Sequence, residues 1–235
     1  MRTSDTVAIG VIDPGEVGGA LAQDLFMLAR ARPQRLSAYI RVEGNLLSRQ
    51  RNELVCTFLQ HSPSQWLLML DADHRFGIPM FDALIDAVHD VSVPLLGGAY
   101  FAAIPSAPYP IPRPTSARYA PDGVRYEPVS DYSGGSVLKV DVVGTGCLIV
   151  HRRVLEQIRS RRAEEGDYCW FADGPHLGEW MGEDVTFCRR VQEAGFPVHV
   201  HSGVVLPHRK HYWLDGEHLE DWRSRTRPRG IGADC

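Results

Sequence analysis

The chain has 235 residues, 44% of them hydrophobic, which suits one large α/β domain with a substantial core and excludes wholesale disorder. Its formal net charge of −4 offers no attraction to nucleic acid, so we do not expect nucleic-acid binding as its main function. The five cysteines contain no C-x-x-C pair, which argues against a disulfide framework or a cysteine-zinc site and favours a reducing cytoplasm. We expect neither a signal peptide nor a membrane span.

Strand-like and helix-like segments alternate through the first 100 residues. A β-branched segment at 6–12 stops at a turn signal, and apolar residues then recur at helical spacing until Pro33, which predicts a strand followed by a helix. The same reasoning predicts three further strands and two further helices, and the alternation indicates an α/β fold. The strands are expected at 36–42, 66–71 and 93–100, and the helices at 46–59 and from Pro79 onward.

The most informative stretch runs from Trp66 to His74. Five apolar residues lead directly into Asp71 and Asp73, and alternation along an extended chain puts both carboxylates on one side. Strand ends of this kind line the binding crevice of an open α/β sheet. Two carboxylates suit Mg²⁺ or Mn²⁺ and leave places for phosphate oxygens. The alternative is a turn in which the aspartates bond to nearby backbone and cap the next helix.

The second half of the chain is less regular. The Pro-rich segment 102–132 predicts an ordered excursion or a lid, and residues 166–181 are aromatic and glycine-rich without periodicity. Gly144-Thr145-Gly146 separates two strand-like segments, which indicates a bulge or a place where a ligand approaches the backbone. The regular elements expected here are strands at 138–143, 147–150 and 196–201, and helices at 152–162 and 182–194.

Two groups of charged or polar residues lie in first turns of predicted helices. Arg49, Arg51 and Asn52 open the helix at 46–59, where basic residues oppose the helix dipole unless an anion binds there. The alternative is that they are solvated surface charges. Glu183 and Asp184 open the helix at 182–194, and the alternative for them is simple capping.

Four segments occur in the order and at about the separation found in glycosyltransferases of the GT-A fold: LLMLDADHRF, DVVGTGCLIVHRRVLE, GEWMGEDVTFCRRVQEAGFPVHVH and VVLPHRK. Over roughly residues 6–211 the chain resembles family 2-type enzymes, especially the small glycosyltransferases encoded by bacteriophages. The resemblance implies a Rossmann-like α/β fold with a single mixed, mostly parallel sheet flanked by helices. The corresponding domain would span 1–211, with a charged C-terminal tail at 212–235.

The resemblance also implies a metal site. Asp71 and Asp73 match the Asp-x-Asp motif that holds Mn²⁺ or Mg²⁺ against the diphosphate of a nucleotide-sugar. His208 matches the C-terminal histidine that completes the metal shell in many such enzymes, with His201 or His211 as alternatives. Because imidazole suits Mn²⁺ better than Mg²⁺, a histidine ligand would favour manganese.

The remaining implied site residues serve catalysis and donor binding. Asp184 matches the catalytic base of inverting members, and Glu183 is its partner in the Glu-Asp pair. The nucleotide-sugar would be bound by Asp71 and by residues from three segments, namely Arg49, Asn52, Gly144, Thr145, Gly146 and Trp180.

The activity implied is transfer of one sugar, of the hexosyl type, from a UDP- or GDP-sugar to an acceptor hydroxyl with inversion. The chain lacks the Gln-x-x-Arg-Trp motif of processive synthases. If the chain is phage-encoded, the acceptor would be a virion protein, modified DNA or another glycan or polymer, in the host cytoplasm. Retaining enzymes share Asp-x-Asp, so the stereochemistry depends on Asp184. The competing hypotheses are a haloacid dehalogenase-like phosphatase with Asp71 as nucleophile, and a non-catalytic module that binds a sugar-nucleotide or glycan.

Overall fold

The structure is a computed structural model that describes residues 6–106, 109–121, 125–176, 178–211 and 216–226. Most regular elements of this part of the chain lie where the sequence predicts them. The strands of the main sheet are β1 (Val7–Asp13), β2 (Leu36–Glu43), β3 (Trp66–Asp71), β4 (Leu95–Ala99), β9 (Val137–Val140), β10 (Cys147–His151) and β13 (Val198–Val205). The α-helices are α1 (Gly19–Ala31), α2 (Leu47–His61), α3 (Ile78–Ala87), α4 (Arg152–Arg161), α5 (Glu183–Glu193) and α6 (Gly216–Thr226).

The seven strands form one mixed sheet in the order β2-β1-β3-β10-β4-β13-β9. The pairings β2-β1, β1-β3 and β4-β13 are parallel. Strand β10 lies antiparallel between β3 and β4, and β9 runs antiparallel to β13 at the edge. The predicted α/β architecture, a single mixed sheet flanked by helices, is confirmed.

Two hydrophobic cores cover the two faces of this sheet. Strand β3 contributes to both, because successive side chains point to opposite faces: Leu67 and Met69 lie in one core and Leu68 and Leu70 in the other. This double burial explains why β3 reads as an unbroken apolar run. The first core also takes α2, α4 and α5 through Phe58, Leu155 and Phe187. The second takes α1 and α3 through Leu21, Leu28, Phe81 and Leu84.

The irregular segments contain three small hairpins. They pair β5 (Phe101–Ile104) with β6 (Ile111–Pro114), β7 (Ala117–Tyr119) with β8 (Tyr126–Pro128), and β11 (Gly174–His176) with β12 (Glu179–Met181). The described parts of 102–132 are therefore an ordered excursion.

The glycine-containing segment 144–146 differs from the predicted bulge. It lies in the connection between β9 at the sheet edge and β10 in the sheet interior. The two strand segments are therefore separate strands and not one strand interrupted by a bulge. The expectation that a ligand approaches this backbone stays a prediction.

The charged segment from residue 212 onward is described only at 216–226, where it forms α6. Its other residues lie outside the described residues, and the domain boundary at 211 stays a prediction. None of the helices in the described ranges is long and apolar enough to cross a membrane.

Candidate active site

A cleft of about 460 Å³ opens at the carboxyl ends of β1 and β3. Both acidic motifs line it, Asp71 and Asp73 after β3 and Glu183 and Asp184 at the start of α5. The basic and histidine side chains that line this cleft are Arg51, His208, Arg209 and Lys210.

Backbone hydrogen bonds fasten the turn after β3 to the segment that follows β13. The Arg75 amide donates to the Pro207 carbonyl at 3.1 Å, and the Arg209 amide donates to the Asp73 carbonyl at 2.9 Å. Between them, His74 and His208 form an antiparallel bridge. The chain therefore places His208 beside Asp73 although 135 residues separate them.

Arg51 joins the two motifs. Its guanidinium is buried and donates from Nη2 to Asp71 Oδ2 at 3.2 Å, while Asp71 Oδ1 lies 3.1 Å from the same nitrogen. Nη1 donates to the Thr145 carbonyl at 3.0 Å, and Nε lies 3.4 Å from Glu183 Oε1. One buried cation thus forms ion pairs with both Asp71 and Glu183 and links β3 to α5.

Asp73 has a separate set of partners. His208 Nε2 lies 3.0 Å from Oδ2, His74 Nδ1 lies 3.3 Å from Oδ1, and Lys210 Nζ lies 3.5 Å from Oδ2. Partial burial alone would raise the pKa of Asp73, but the hydrogen bonds and positive charge from His208 and His74 outweigh it and lower that pKa. Asp73 is therefore an ionised carboxylate at neutral pH.

The residues around Asp73 fit a divalent metal. His208 Nδ1 lies 2.8 Å from the Phe101 carbonyl, which can only accept, so Nδ1 carries a proton. This leaves Nε2 facing a carboxylate oxygen that has no proton to give, and the contact requires either a proton or a cation at Nε2. Asp73, His74 and His208 each offer one ligand atom within 4.8 Å of the others. Asp71 lies outside this group and is paired with Arg51.

Glu183 and Asp184 have raised pKa values. Burial is the main cause for both, and the positive charge of Arg51 offsets it in part. Asp184 Oδ1 accepts the Val185 amide at 2.7 Å, and no hydrogen bond from the described residues reaches Oδ2. Asp184 therefore presents one carboxylate oxygen to the cleft.

The segment 144–146 packs directly behind the acidic residues. The Gly146 amide donates to the Tyr100 hydroxyl at 3.0 Å. A Cβ on Gly146 would lie 2.8 Å from Asp71 Oδ2, 2.9 Å from His74 Cε1 and 3.0 Å from Tyr100 Cζ. A Cβ on Gly144 would clash with the Tyr100 hydroxyl. Thr145 lines the cleft. The two glycines beside it leave room for Tyr100, Asp71 and His74 to pack closely against this segment.

Replacing Gly146 by alanine is expected to destabilise the protein by about 1–3 kcal/mol, the usual cost of overpacking, and to weaken ligand binding in the cleft because Asp71 or His74 must shift. Thermal unfolding and nucleotide calorimetry would measure both effects. Gly174→Ala is the matched control, since a Cβ there meets nothing within 4 Å. Equal behaviour of the two variants would contradict this role for Gly146.

Besides Gly144 and Gly146, three of the predicted donor-binding residues do not line the cleft. Arg49 is exposed and outside the cleft lining. Trp180 lies on β12 with 73% of its surface exposed, also outside the lining. The buried amide of Asn52 donates to the Ser48 and Phe171 carbonyls and accepts the amides of Trp170 and Phe171, so its hydrogen-bonding capacity is used within the fold.

Among the described residues, neither alternative histidine belongs to the group of ligand atoms around Asp73. His201 Nδ1 accepts the Gly203 amide at 3.1 Å, and His211 is exposed. The family resemblance assigns no role to two residues at the site, Arg51 and His74, although Arg51 is a candidate anion contact from its place at the start of the helix. Arg51 lies three and four residues before the buried Leu54 and Val55, so helical periodicity could have placed it on the inner face of α2.

No family model matches the chain, and no curated protein matches it. Solved structures with a similar fold include A197 from STIV, which is 17% identical, with 88% of this chain and 86% of that chain covered and a TM-score of 0.56. A structure of GalNAc-T7 with UDP, GalNAc and Mn²⁺ is 13% identical, with 90% of this chain but only 44% of that chain covered and a TM-score of 0.48. The chain and A197 from STIV therefore share one α/β fold.

Proposed function

We propose that this chain is a nucleotide-sugar-dependent glycosyltransferase of the GT-A type. The supporting observation is that a single cleft gathers Asp71 and Asp73 with Glu183 and Asp184, two acidic motifs more than 100 residues apart in sequence. A volume of about 460 Å³ lies within the range usual for small-molecule sites. Carboxylates and cations in one cleft suit a ligand that carries phosphate and binds with a metal.

The donor proposed is a UDP- or GDP-sugar bound with Mn²⁺ or Mg²⁺. Asp73 and His208 would hold the ion, which when bound would neutralise charge on the departing diphosphate. Arg209 and Lys210 line the same cleft and would attract the diphosphate from the protein side. Asp71 and Thr145 lie next to Arg51, where they would contact the sugar-nucleotide.

The reaction proposed is transfer of a hexosyl group with inversion, with Asp184 as general base. An acceptor hydroxyl is a poor nucleophile at neutral pH, and a carboxylate that takes its proton during attack accelerates transfer. Oδ2 of Asp184 would accept that proton, since Oδ1 already accepts the Val185 amide. Glu183 would position the start of α5 through its contact with Arg51.

The acceptor proposed, on the resemblance to bacteriophage enzymes, is a hydroxyl of a virion protein or of another glycan, in the host cytoplasm. The competing phosphatase hypothesis requires Asp71 to be a free nucleophile. Both Asp71 oxygens contact Arg51, and this ion pair favours the transferase. Trapping an aspartyl-phosphate on Asp71 would revive the phosphatase.

The direct test is incubation with a panel of UDP-, GDP-, CDP- and dTDP-sugars, with Mn²⁺, Mg²⁺ or EDTA, while release of nucleoside diphosphate is measured. We expect slow hydrolysis of one donor class, abolished by EDTA and by Asp184→Asn. Glu179→Gln, at an exposed position on β12, is the control and should retain hydrolysis. Binding without any hydrolysis or transfer would favour the non-catalytic module.

The acid limb of activity should lie above the ordinary carboxyl range of about 4. The base acts only when ionised, and burial raises the pKa of Asp184, so a higher pH is needed to ionise it. A profile of kcat/KM against pH reports this group in the free enzyme. The limb should persist in Glu183→Gln, since Glu183 is not the proposed base. A limb at or below pH 4 would contradict the assignment.

A further inference from the structure

We infer that Tyr100 binds the donor directly, by donating its hydroxyl proton to a hydroxyl oxygen of the transferred sugar. The inference rests on the proposed function and deepens it, because it assigns a sugar-recognising residue to the same cleft. Tyr100 directly follows β4 at the carboxyl end of that strand. Neither the sequence patterns nor the family resemblance gives it a functional role.

The ring of Tyr100 is held in place on several sides. The residue is only 7% exposed and lines the cleft. Its ring lies nearly perpendicular to the imidazoles of His74 and His208, with centroids 4.7 and 5.4 Å away. Its carbonyl accepts the Thr115 amide at 3.3 Å and the Thr115 hydroxyl at 3.0 Å. The hydroxyl therefore has a fixed position, and a ligand that binds there orders little further.

The Tyr100 hydroxyl has a proton that the fold does not use. The hydroxyl accepts the Gly146 amide at 3.0 Å, and because an amide can only donate, this bond leaves the proton free. No described residue accepts that proton. Burial raises the pKa of Tyr100, and the charges of Asp71 and Asp184 raise it further. The hydroxyl therefore stays protonated at neutral pH and can donate to a ligand in the cleft.

Two further polar atoms near Tyr100 also lack hydrogen-bond partners. Among the described residues, Thr145 Oγ1 and Asp71 Oδ1 are buried and take part in no hydrogen bond, although Asp71 Oδ1 lies 3.1 Å from Arg51 Nη2. Asp71 and Tyr100 are close to one common point, since a Cβ on Gly146 would lie 2.8 Å from Asp71 Oδ2 and 3.0 Å from Tyr100 Cζ. This part of the cleft wall therefore offers two hydroxyl donors and one carboxylate acceptor.

This combination of groups favours a hydroxyl over a phosphate oxygen. A hydroxyl can accept from Tyr100 or Thr145 and donate to Asp71. A phosphate oxygen carries negative charge and can only accept, so the Asp71 carboxylate would repel it. The diphosphate has cations of its own in the same cleft, Arg209 and Lys210. Tyr100 therefore recognises a sugar hydroxyl.

The donor carries hydroxyls on two sugars, the ribose of the nucleotide and the sugar that is transferred. The proposed base must act beside the transferred sugar, and Asp184 lines the same cleft as Tyr100. This shared position favours the transferred sugar, and the ribose is the alternative that the test must exclude.

The test compares Tyr100→Phe with the wild type by calorimetry in the presence of Mn²⁺. The probes are UDP, GDP, UDP-glucose, UDP-galactose and GDP-mannose. Tyr100→Phe keeps the ring and removes only the hydroxyl. We expect it to weaken binding of the sugar-nucleotide by about 3- to 10-fold, the usual worth of one neutral hydrogen bond. Binding of the corresponding nucleoside diphosphate should change by less than about 2-fold.

The control is Tyr168→Phe, at an exposed tyrosine outside the cleft lining, which should change neither affinity. An equal loss for diphosphate and sugar-nucleotide in Tyr100→Phe would assign the hydroxyl to the ribose and overturn the inference, as would no loss for either. These two results leave the proposed function standing. If none of the probes binds to the wild type, the proposed function fails and the inference fails with it.

A second measurement separates a direct hydrogen bond from a shift of Gly146, whose amide loses its acceptor in Tyr100→Phe. Analogues of the bound sugar-nucleotide that each lack one hydroxyl of the transferred sugar would be titrated into both proteins. A direct bond predicts that loss of one particular hydroxyl weakens binding to the wild type by about 3- to 10-fold, and to Tyr100→Phe by less than about 2-fold. Equal penalties in the two proteins for every hydroxyl would overturn the inference.

Discussion

Replacing Asp184 by asparagine is expected to lower kcat for sugar transfer by about 10²–10⁴-fold, the usual contribution of a positioned general base. Asparagine keeps the shape of the side chain and can still accept the Val185 amide, but it cannot take a proton from the acceptor. Donor binding should change little, because Asp184 does not belong to the group of Asp73, His74 and His208 that could hold the metal. Steady-state transfer kinetics with nucleotide calorimetry would separate the two effects.

Two comparisons make that result specific to Asp184. Glu183→Gln should lower activity less, because Glu183 acts through Arg51, and Glu179→Gln should leave it unchanged. Asp184→Asn with wild-type kcat would remove Asp184 from the mechanism and with it the argument for inversion.

The second large effect is on stability. Arg51→Met is expected to lower the free energy of unfolding by about 3–5 kcal/mol, because it leaves Asp71 and Glu183 without their buried counter-charge. For a chain of this size that corresponds to a fall in Tm of roughly 6–20 °C. Thermal and urea unfolding would measure it.

The matched control is Arg49→Met, two residues away on the exposed side of α2. It should change stability by no more than about 0.5 kcal/mol. Combining Arg51→Met with Asp71→Asn and Glu183→Gln should recover part of the loss, since the stranded charges are then removed. Equal effects of the two arginine variants would contradict the buried position of Arg51.

Much of the fold could be predicted because its elements carry local signals. The apolar run from Leu67 to Leu70 is buried on both faces of the sheet, and Pro79 lies at the start of α3. The order of the strands in the sheet has no comparable local signal in the sequence. Strand β10 inserts between β3 and β4, which depends on tertiary packing rather than on the pattern of residues 144–150.

The site could be predicted where residues follow a strand or open a helix. Asp71, Asp73, Asp184 and His208 meet in one cleft, although their roles stay predictions. The positions of residues that depend on tertiary packing were harder to predict from the sequence. The resemblance implies that Trp180 contacts the donor, whereas Trp180 lies on β12 with 73% of its surface exposed, and no pattern in the neighbouring residues predicts this exposure.

The arginine of the cleft illustrates the same limit. Arg49 and Arg51 share one first turn, and composition does not distinguish them. Helical periodicity distinguishes them, because a period of 3.6 residues places Arg51 on the same face of α2 as the buried Leu54, Val55 and Phe58. The position of His74 could not be predicted from sequence, since its stacking on His208 depends on tertiary packing.

The central claim, that this cleft binds a nucleotide-sugar through a metal, is tested most directly by calorimetry. UDP, GDP, CDP and dTDP would each be titrated with and without Mn²⁺ into the wild type and Asp73→Ala. We predict Mn²⁺-dependent binding of one nucleotide, lost in Asp73→Ala. Absence of binding by all four nucleotides with and without Mn²⁺ would contradict the claim and leave the Asp71-Ala72-Asp73 segment as a structural turn.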